Sequence, residues 1–192
     1  MKIYKKLDSE WIKSIRKGSV LLHPTDTIWG LGASAFSRKG FEKIYDIKGR
    51  DRSKPLVLLV DSIDRLKNYV HRIPPRIETL LFYNERPLTL IYSDVKMLPE
   101  HILAADGSIA IRIVQKAFVK KLIAELDQPL LSTSANLSDA DFPKSFDEVT
   151  REIKNGVDII FHPDLPLAET EDAQPSVIAR FDDEGQLIFI RK

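Results

Sequence analysis

Three polar stretches stand beside apolar runs, and they hold the side chains that could do chemistry. The first is His23-Pro24-Thr25-Asp26-Thr27-Ile28-Trp29-Gly30-Leu31-Gly32, where hydroxyls and a carboxylate follow an apolar run. Its glycines would let the backbone approach a ligand closely. The second is Lys48-Gly49-Arg50-Asp51-Arg52-Ser53-Lys54-Pro55-Leu56, with four cations between Lys48 and Lys54. The third is Leu131-Ser132-Thr133-Ser134-Ala135-Asn136-Leu137-Ser138, rich in hydroxyls and ending on an amide. Each has a plainer reading when taken alone. Charge runs face water, Ser/Thr/Asn stretches after strands make turns and caps, and Thr-Asp-Thr before glycines is a turn. Together they offer cations, hydroxyls and backbone donors, which is what a polyphosphate needs: charge neutralisation and oriented hydrogen bonds.

Several other chemistries are excluded. The chain has no cysteine, so there is no disulfide, thiolate metal site or cysteine nucleophile. His23, His71, His101 and His162 lack ligand spacing, so no intrinsic metal site is expected, and His23 reads as structural. There is no Gly-x-x-x-x-Gly-Lys-Ser/Thr loop and no Gly-x-Ser-x-Gly elbow. Gly30-Leu31-Gly32-Ala33-Ser34-Ala35 loosely fits a dinucleotide fingerprint, but Thr25 to Trp29 intervenes where that motif requires a tight turn.

The elements that must position these stretches alternate. A short helix capped by Asp8 or Ser9 runs through Arg16 and ends at Gly18. Val20–Leu22 is a buried strand, Ser37 caps a helix through Ile47, and Leu56–Val60 is a central strand. Pro74–Tyr83 reads as a helix, followed by strands at Leu88–Tyr92 and Ile109–Val114. Lys116–Leu126 is a helix, Pro129–Ser132 a strand, Ser145–Lys154 a helix ended by Asn155-Gly156, and Ile159–Phe161 a strand. Val177–Phe181 and Leu187–Ile190 flank Asp182-Asp183-Glu184-Gly185, which is hairpin chemistry. The pattern predicts an α/β (α+β) fold with a mixed sheet and flanking helices. At 192 residues, 1–192 reads as one domain. The stretch from His162 to Pro175 reads as a surface loop. A net charge of +1 announces no global nucleic-acid field. No apolar run has the length of a signal peptide or membrane span, so a cytoplasmic location is expected and no membrane partner.

The three stretches also carry a family resemblance. HPTDTIWGLG, KGRDRSKPLVLLV, RPLTLIY, GSIAIRI, LSTSANLS and the final FIRK follow, in order, segments of the YrdC-like threonylcarbamoyl-AMP synthases. The chain resembles the short bacterial type of that family. The resemblance implies a twisted open mixed sheet of the YrdC/RibB-like fold, with a basic central cavity. It implies an ATP-dependent nucleotidyltransferase that joins L-threonine and bicarbonate to AMP and releases pyrophosphate. It places threonine on Thr27, Arg112 and Ser132, and ATP on Arg50, Lys54, Ser108, Ser134, Asn136 and Arg191. It makes Lys48 and Arg50 the catalytic cations, which would offset repulsion among anionic reactants. Magnesium would arrive with the ATP and keep most of its waters. The downstream partners it implies are proteins that move the threonylcarbamoyl group onto tRNA. Asp51, Arg86, Trp29, Leu59 and the Ser176-Val177 pair depart from the usual family residues. Two other functions fit the same fold: a YciO-like paralogue of different substrate, and a module that binds double-stranded RNA in a steeply salt-dependent way.

Overall fold

The computed structural model describes residues 2–4, 9–161 and 174–191. In chain order the strands are β1 (Lys2–Tyr4), β2 (Leu21–His23), β3 (Gly30–Ser34), β4 (Val57–Val60), β5 (Leu88–Tyr92), β6 (Ile109–Ile113), β7 (Leu130–Ser134), β8 (Ile159–Phe161), β9 (Val177–Phe181) and β10 (Leu187–Arg191). The helices are α1 (Ser9–Arg16), α2 (Arg38–Lys48), α3 (Ile63–Lys67), α4 (Pro75–Tyr83), α5 (Ala117–Leu126) and α6 (Arg151–Gly156). All ten strands join one mixed sheet, ordered β1-β8-β2-β3-β7-β4-β6-β5-β9-β10.

Both faces of the sheet are covered. Trp11, Ile12 and Ile15 of α1 and Val119, Leu122, Ile123 and Leu126 of α5 pack with Leu21, Leu59 and Leu130 on one face. Phe41, Ile44 and Tyr45 of α2, Leu66 of α3, Ile77 of α4 and Ile153 of α6 share the opposite core with Leu31, Leu58 and Val60. This explains why β4 is apolar without alternation: Leu58 and Val60 bury on one side, Leu59 on the other. Helix ends are fixed by local chemistry. Ser37 accepts from the Gly40 amide to start α2. Gly49, at φ 56°, ends it in the left-handed region that glycine adopts freely. Arg16 donates to the Leu126 and Glu125 carbonyls at 3.0–3.1 Å and closes the end of α5.

Several expectations are corrected. Gly30–Ser34, to which the sequence reading assigned no element, is a fully buried strand. Two glycines hid it from a propensity reading, yet each is required by a close neighbour. A Cβ on Gly32 would come within 2.9 Å of the His23 ring, and one on Gly30 within 3.2 Å of the Thr133 carbonyl. The strand Pro129–Ser132 extends to Ser134, so the hydroxyl stretch is itself ladder. The helix placed at Ser145–Lys154 begins only at Arg151, where Thr150 is the cap accepting from Ile153. Strand β1 and helix α3 were not anticipated. The stretch 162–173, most of the expected surface loop, lies outside the described residues.

His23 leaves β2 fully buried, with Nδ1 donating to the Pro24 carbonyl at 3.0 Å. Burial pushes its pKa down to about 4 from 6.5. Between these values the unfolded chain binds a proton that the native state refuses. Stability present above pH 6.5 is therefore lost as pH falls toward 4, by on the order of 3 kcal/mol. Thermal melts across that range should show the decline, and His23→Asn should flatten it; an equally steep decline in the variant would contradict this origin.

Candidate active site

Strand register gathers the site. Across the sheet, Leu59 pairs with Arg112, Arg112 with Thr89, Thr89 with Ile178, and Ile178 with Arg191. On the other side of β4, Val57 pairs with Ser132, and Gly30 of β3 pairs with Ser134. Paired residues share a face, so Ser132, Arg112 and Arg191 lie on the face that α1 and α5 cover farther along the strands. Arg191 reaches that row through an irregularity. The register slips between Phe189 and Arg191, so the arginine stands opposite Ile178 where Ile190 would otherwise fall. A bulge that re-aims a side chain beside a cavity is a recurrent device.

The result is a cavity of about 260 Å³ lined by Thr25, Thr27, Gly30, Arg50, Arg112, Ser132, Ser134, Ser176 and Arg191, with an apolar side from Ile28, Trp29, Val57, Phe142 and Ile178. Among the described residues, three guanidiniums face it and no carboxylate lines it. The Arg112 side chain is only 7% exposed. Its NH1 donates to Thr27 Oγ1 at 3.3 Å, and its NH2 approaches Asp26 Oδ1 at 3.4 Å. Thr27 can accept there because its own proton is committed elsewhere. Thr25 Oγ1 donates to the Ile28 carbonyl at 2.7 Å, so it must accept in its 2.8 Å contact with Thr27. Burial pulls Arg112 down from its usual pKa; Asp26 opposes this and Arg191 adds to it. Arg191 is pinned by donating to the Ser176 carbonyl from Nε at 3.1 Å and NH2 at 2.8 Å.

Lys48 sits behind this wall rather than in it. The residue is 1% exposed and closes α2. Its ammonium donates to the Ser134 carbonyl at 2.6 Å and the Asn136 carbonyl at 2.5 Å, with Asn136 Oδ1 at 3.4 Å. Asn136 in turn donates to the Leu137 and Ala140 carbonyls at 2.9 and 2.6 Å. These two residues hold the chain leaving β7 in the turn that presents Ser134.

Thr27, Arg50, Arg112, Ser132, Ser134 and Arg191 thus come together in one cavity. Lys48 and Asn136 support its wall. Lys54 forms an exposed ion pair with Asp139 at 2.9 Å. Ser108 does not line the cavity; its hydroxyl donates to Asp106 at 2.6 Å in the turn before β6. The sequence reading placed Thr25 and Asp26 in a polar stretch and noted Ser176, but gave none of them an individual role, and it did not single out Phe142. The alternation Thr25-Asp26-Thr27 was the available signal: two hydroxyls flanking a carboxylate are suited to orienting a guanidinium. Among the described residues no group of His, Asp or Glu is arranged to hold a metal ion. No helix there is long and apolar enough to cross a membrane.

The described residues form one mixed sheet with a cavity faced by three guanidiniums. Residues 13–192 match the Sua5/YciO/YrdC family, described as "Telomere recombination", and the chain belongs to that family. It is 31% identical over 170 residues to a threonylcarbamoyl-AMP synthase of Histophilus somni (strain 129Pt), a match covering 87% of this chain and 90% of the relative. It is 31% identical over 157 residues to the threonylcarbamoyl-AMP synthase of Dichelobacter nodosus, covering 81% and 78%. Among solved structures, P. abyssi Sua5 complexed with L-threonine superposes with TM-score 0.77 at 25% identity, over 93% of this chain and 53% of that one. E. coli YciO superposes with TM-score 0.76 at 23% identity, over 95% and 87%, a likeness of fold. The chain spans about half the length of the P. abyssi protein.

Burial, with Arg50 adding to it, pushes the Lys48 pKa down to about 7 from 10.5. The unfolded chain then holds a proton that the native state sheds, so stability rises with pH across that window. Lys48→Met should cost roughly 2 kcal/mol through its stranded carbonyls. The stability difference between wild type and variant should grow from pH 7 to about pH 10 in denaturant titrations. A difference independent of pH would place the lowered pKa elsewhere.

Proposed function

We propose that this chain is a threonylcarbamoyl-AMP synthase, an adenylyl-transferring enzyme that acts on L-threonine, bicarbonate and ATP. The observation that carries this reading is the convergence of Arg50, Arg112 and Arg191 with Thr27, Ser132 and Ser134 on one cavity. The names of the bacterial relatives support it, as does the threonine held by P. abyssi Sua5.

The amine of threonine takes up the carbon of bicarbonate with loss of water and forms an N-carboxylate. A carboxylate oxygen then attacks the α-phosphorus of ATP, the bond to the bridging oxygen breaks, and pyrophosphate leaves. Every reactant carries an anionic group, so the protein's task is to gather and orient them against repulsion. Arg112, with Thr27 and Ser132 beside it, takes the amino-acid carboxylate. Arg50, Arg191 and Ser134 take the phosphates, where their charge stabilises the oxygens that gain charge in the transition state. Lys48 contributes through the carbonyls it holds and through its nearby charge. No covalent nucleophile is needed. With no carboxylate among the described lining residues, a magnesium ion would come in on the triphosphate, offset its charge and keep most of its waters. The product is a mixed anhydride, which other proteins would consume in modifying tRNA.

Pyrophosphate release from ATP should require both threonine and bicarbonate. Arg191→Ala, which leaves the sheet intact, should lower kcat/KM by about 100-fold or more, the scale of losing one transition-state contact. Release that ignores omission of threonine, or a full rate in that variant, would count against the assignment.

A further inference from the structure

We infer that Asp26 is the resident counter-ion of Arg112, a positioning residue that sets how tightly the cavity takes a carboxylate. The inference rests on the reading that Arg112 receives the amino acid's carboxylate. Asp26 and Arg112 have side chains that are each 7% exposed. An unpaired guanidinium at such depth would be strongly unfavourable, so the empty protein needs an anion beside it. Asp26 is that anion, and its place is set by the Gln115 amide, which donates to Oδ2 at 3.3 Å.

The pair is loose. The 3.4 Å approach of NH2 to Oδ1 exceeds the roughly 2.7–2.9 Å of a strong charge-assisted bond. Arg112 Nε and Asp26 Oδ1 are both buried without a hydrogen-bond partner. Two buried groups of opposite charge, a few ångströms apart and each short of a bond, leave the guanidinium free to shift between its counter-ion and the cavity. Asp26 itself does not line the cavity, so it acts through Arg112. When a ligand carboxylate arrives, two anions share one cation, and the repulsion between them weakens binding. Removing the Asp26 charge should therefore make the empty fold less stable and the carboxylate site tighter. A residue with a purely structural role would do the first without the second.

The test uses Asp26→Asn and Asp26→Glu at constant ionic strength. Asp26→Asn should melt below wild type when empty, and acetate should raise its melting temperature more than it raises that of wild type. Its KM for threonine should fall by about threefold or more, with KM for ATP unchanged, as expected when a nearby like charge is lost. Asp26→Glu should return both toward wild type. Equal acetate shifts, or a KM for threonine that stays or rises, would overturn the inference. The acetate arm needs no turnover, so it still decides if the threonine reaction fails. Should Asp26→Asn not fold, the side-chain nitrogen resonance of Arg112 in the wild type decides: it should move on acetate addition, and an unmoved signal would contradict the inference.

Discussion

A cation buried in the middle of a β-sheet is the constraint around which this molecule is arranged. Arg112 stands on an interior strand with neighbours on both sides, and its side chain is nearly removed from water. Such a charge is tolerated only where the surroundings supply oriented oxygen and opposite charge. Thr27 and Asp26 supply both, and each is held in turn: Thr27 by Thr25, Asp26 by the Gln115 amide. The short connection between β2 and β3 thus supplies both of the partners described for the guanidinium. A cavity bordered by that cation is a ready seat for an anion.

The sheet provides the rest of the wall by register rather than by loops. Strands distant in sequence, from β3 near the start to β10 at the end, become neighbours and set Gly30, Ser132, Arg112 and Arg191 against one space. Arg50 comes from outside the sheet. It is tied to its own loop by donating to the Lys54 and Pro55 carbonyls at 3.1 and 3.2 Å, which fixes a surface cation over the cavity. Lys48 and Asn136 work one layer behind. They satisfy carbonyls at the end of β7, so the turn after that strand is held by charge-assisted bonds rather than by a regular element.

Much of this was legible in the residues. The apolar runs of β4, β5 and β6, the Ser37 cap and the closing hairpin followed from periodicity and local chemistry. Of the three polar stretches, Thr25, Thr27, Arg50, Ser132 and Ser134 line a single cavity, Lys48 and Asn136 stand behind it, and Lys54 forms an exposed ion pair instead. Strand β3 was not legible, because its glycines are there for the His23 ring and the Thr133 carbonyl, partners only the fold reveals. The start of α6 was misplaced because Ser145 and Thr150 are both fair caps, and only Thr150 introduces a helix. The catalytic role expected for Lys48 came from the family resemblance. That its ammonium, at the end of α2, donates to the Ser134 and Asn136 carbonyls is a direction that sequence spacing does not encode.

On the proposed reading, the buried charge of Arg112 would meet the amino-acid carboxylate, and Arg50, Ser134 and Arg191, which line the same cavity, would take the phosphates. A crystal structure of the chain with L-threonine and a non-hydrolysable ATP analogue tests that arrangement most directly. The account predicts the threonine carboxylate on the Arg112 guanidinium and the phosphates among the other three. Ligands bound elsewhere, with Arg112 still turned only to Asp26 and Thr27, would contradict it.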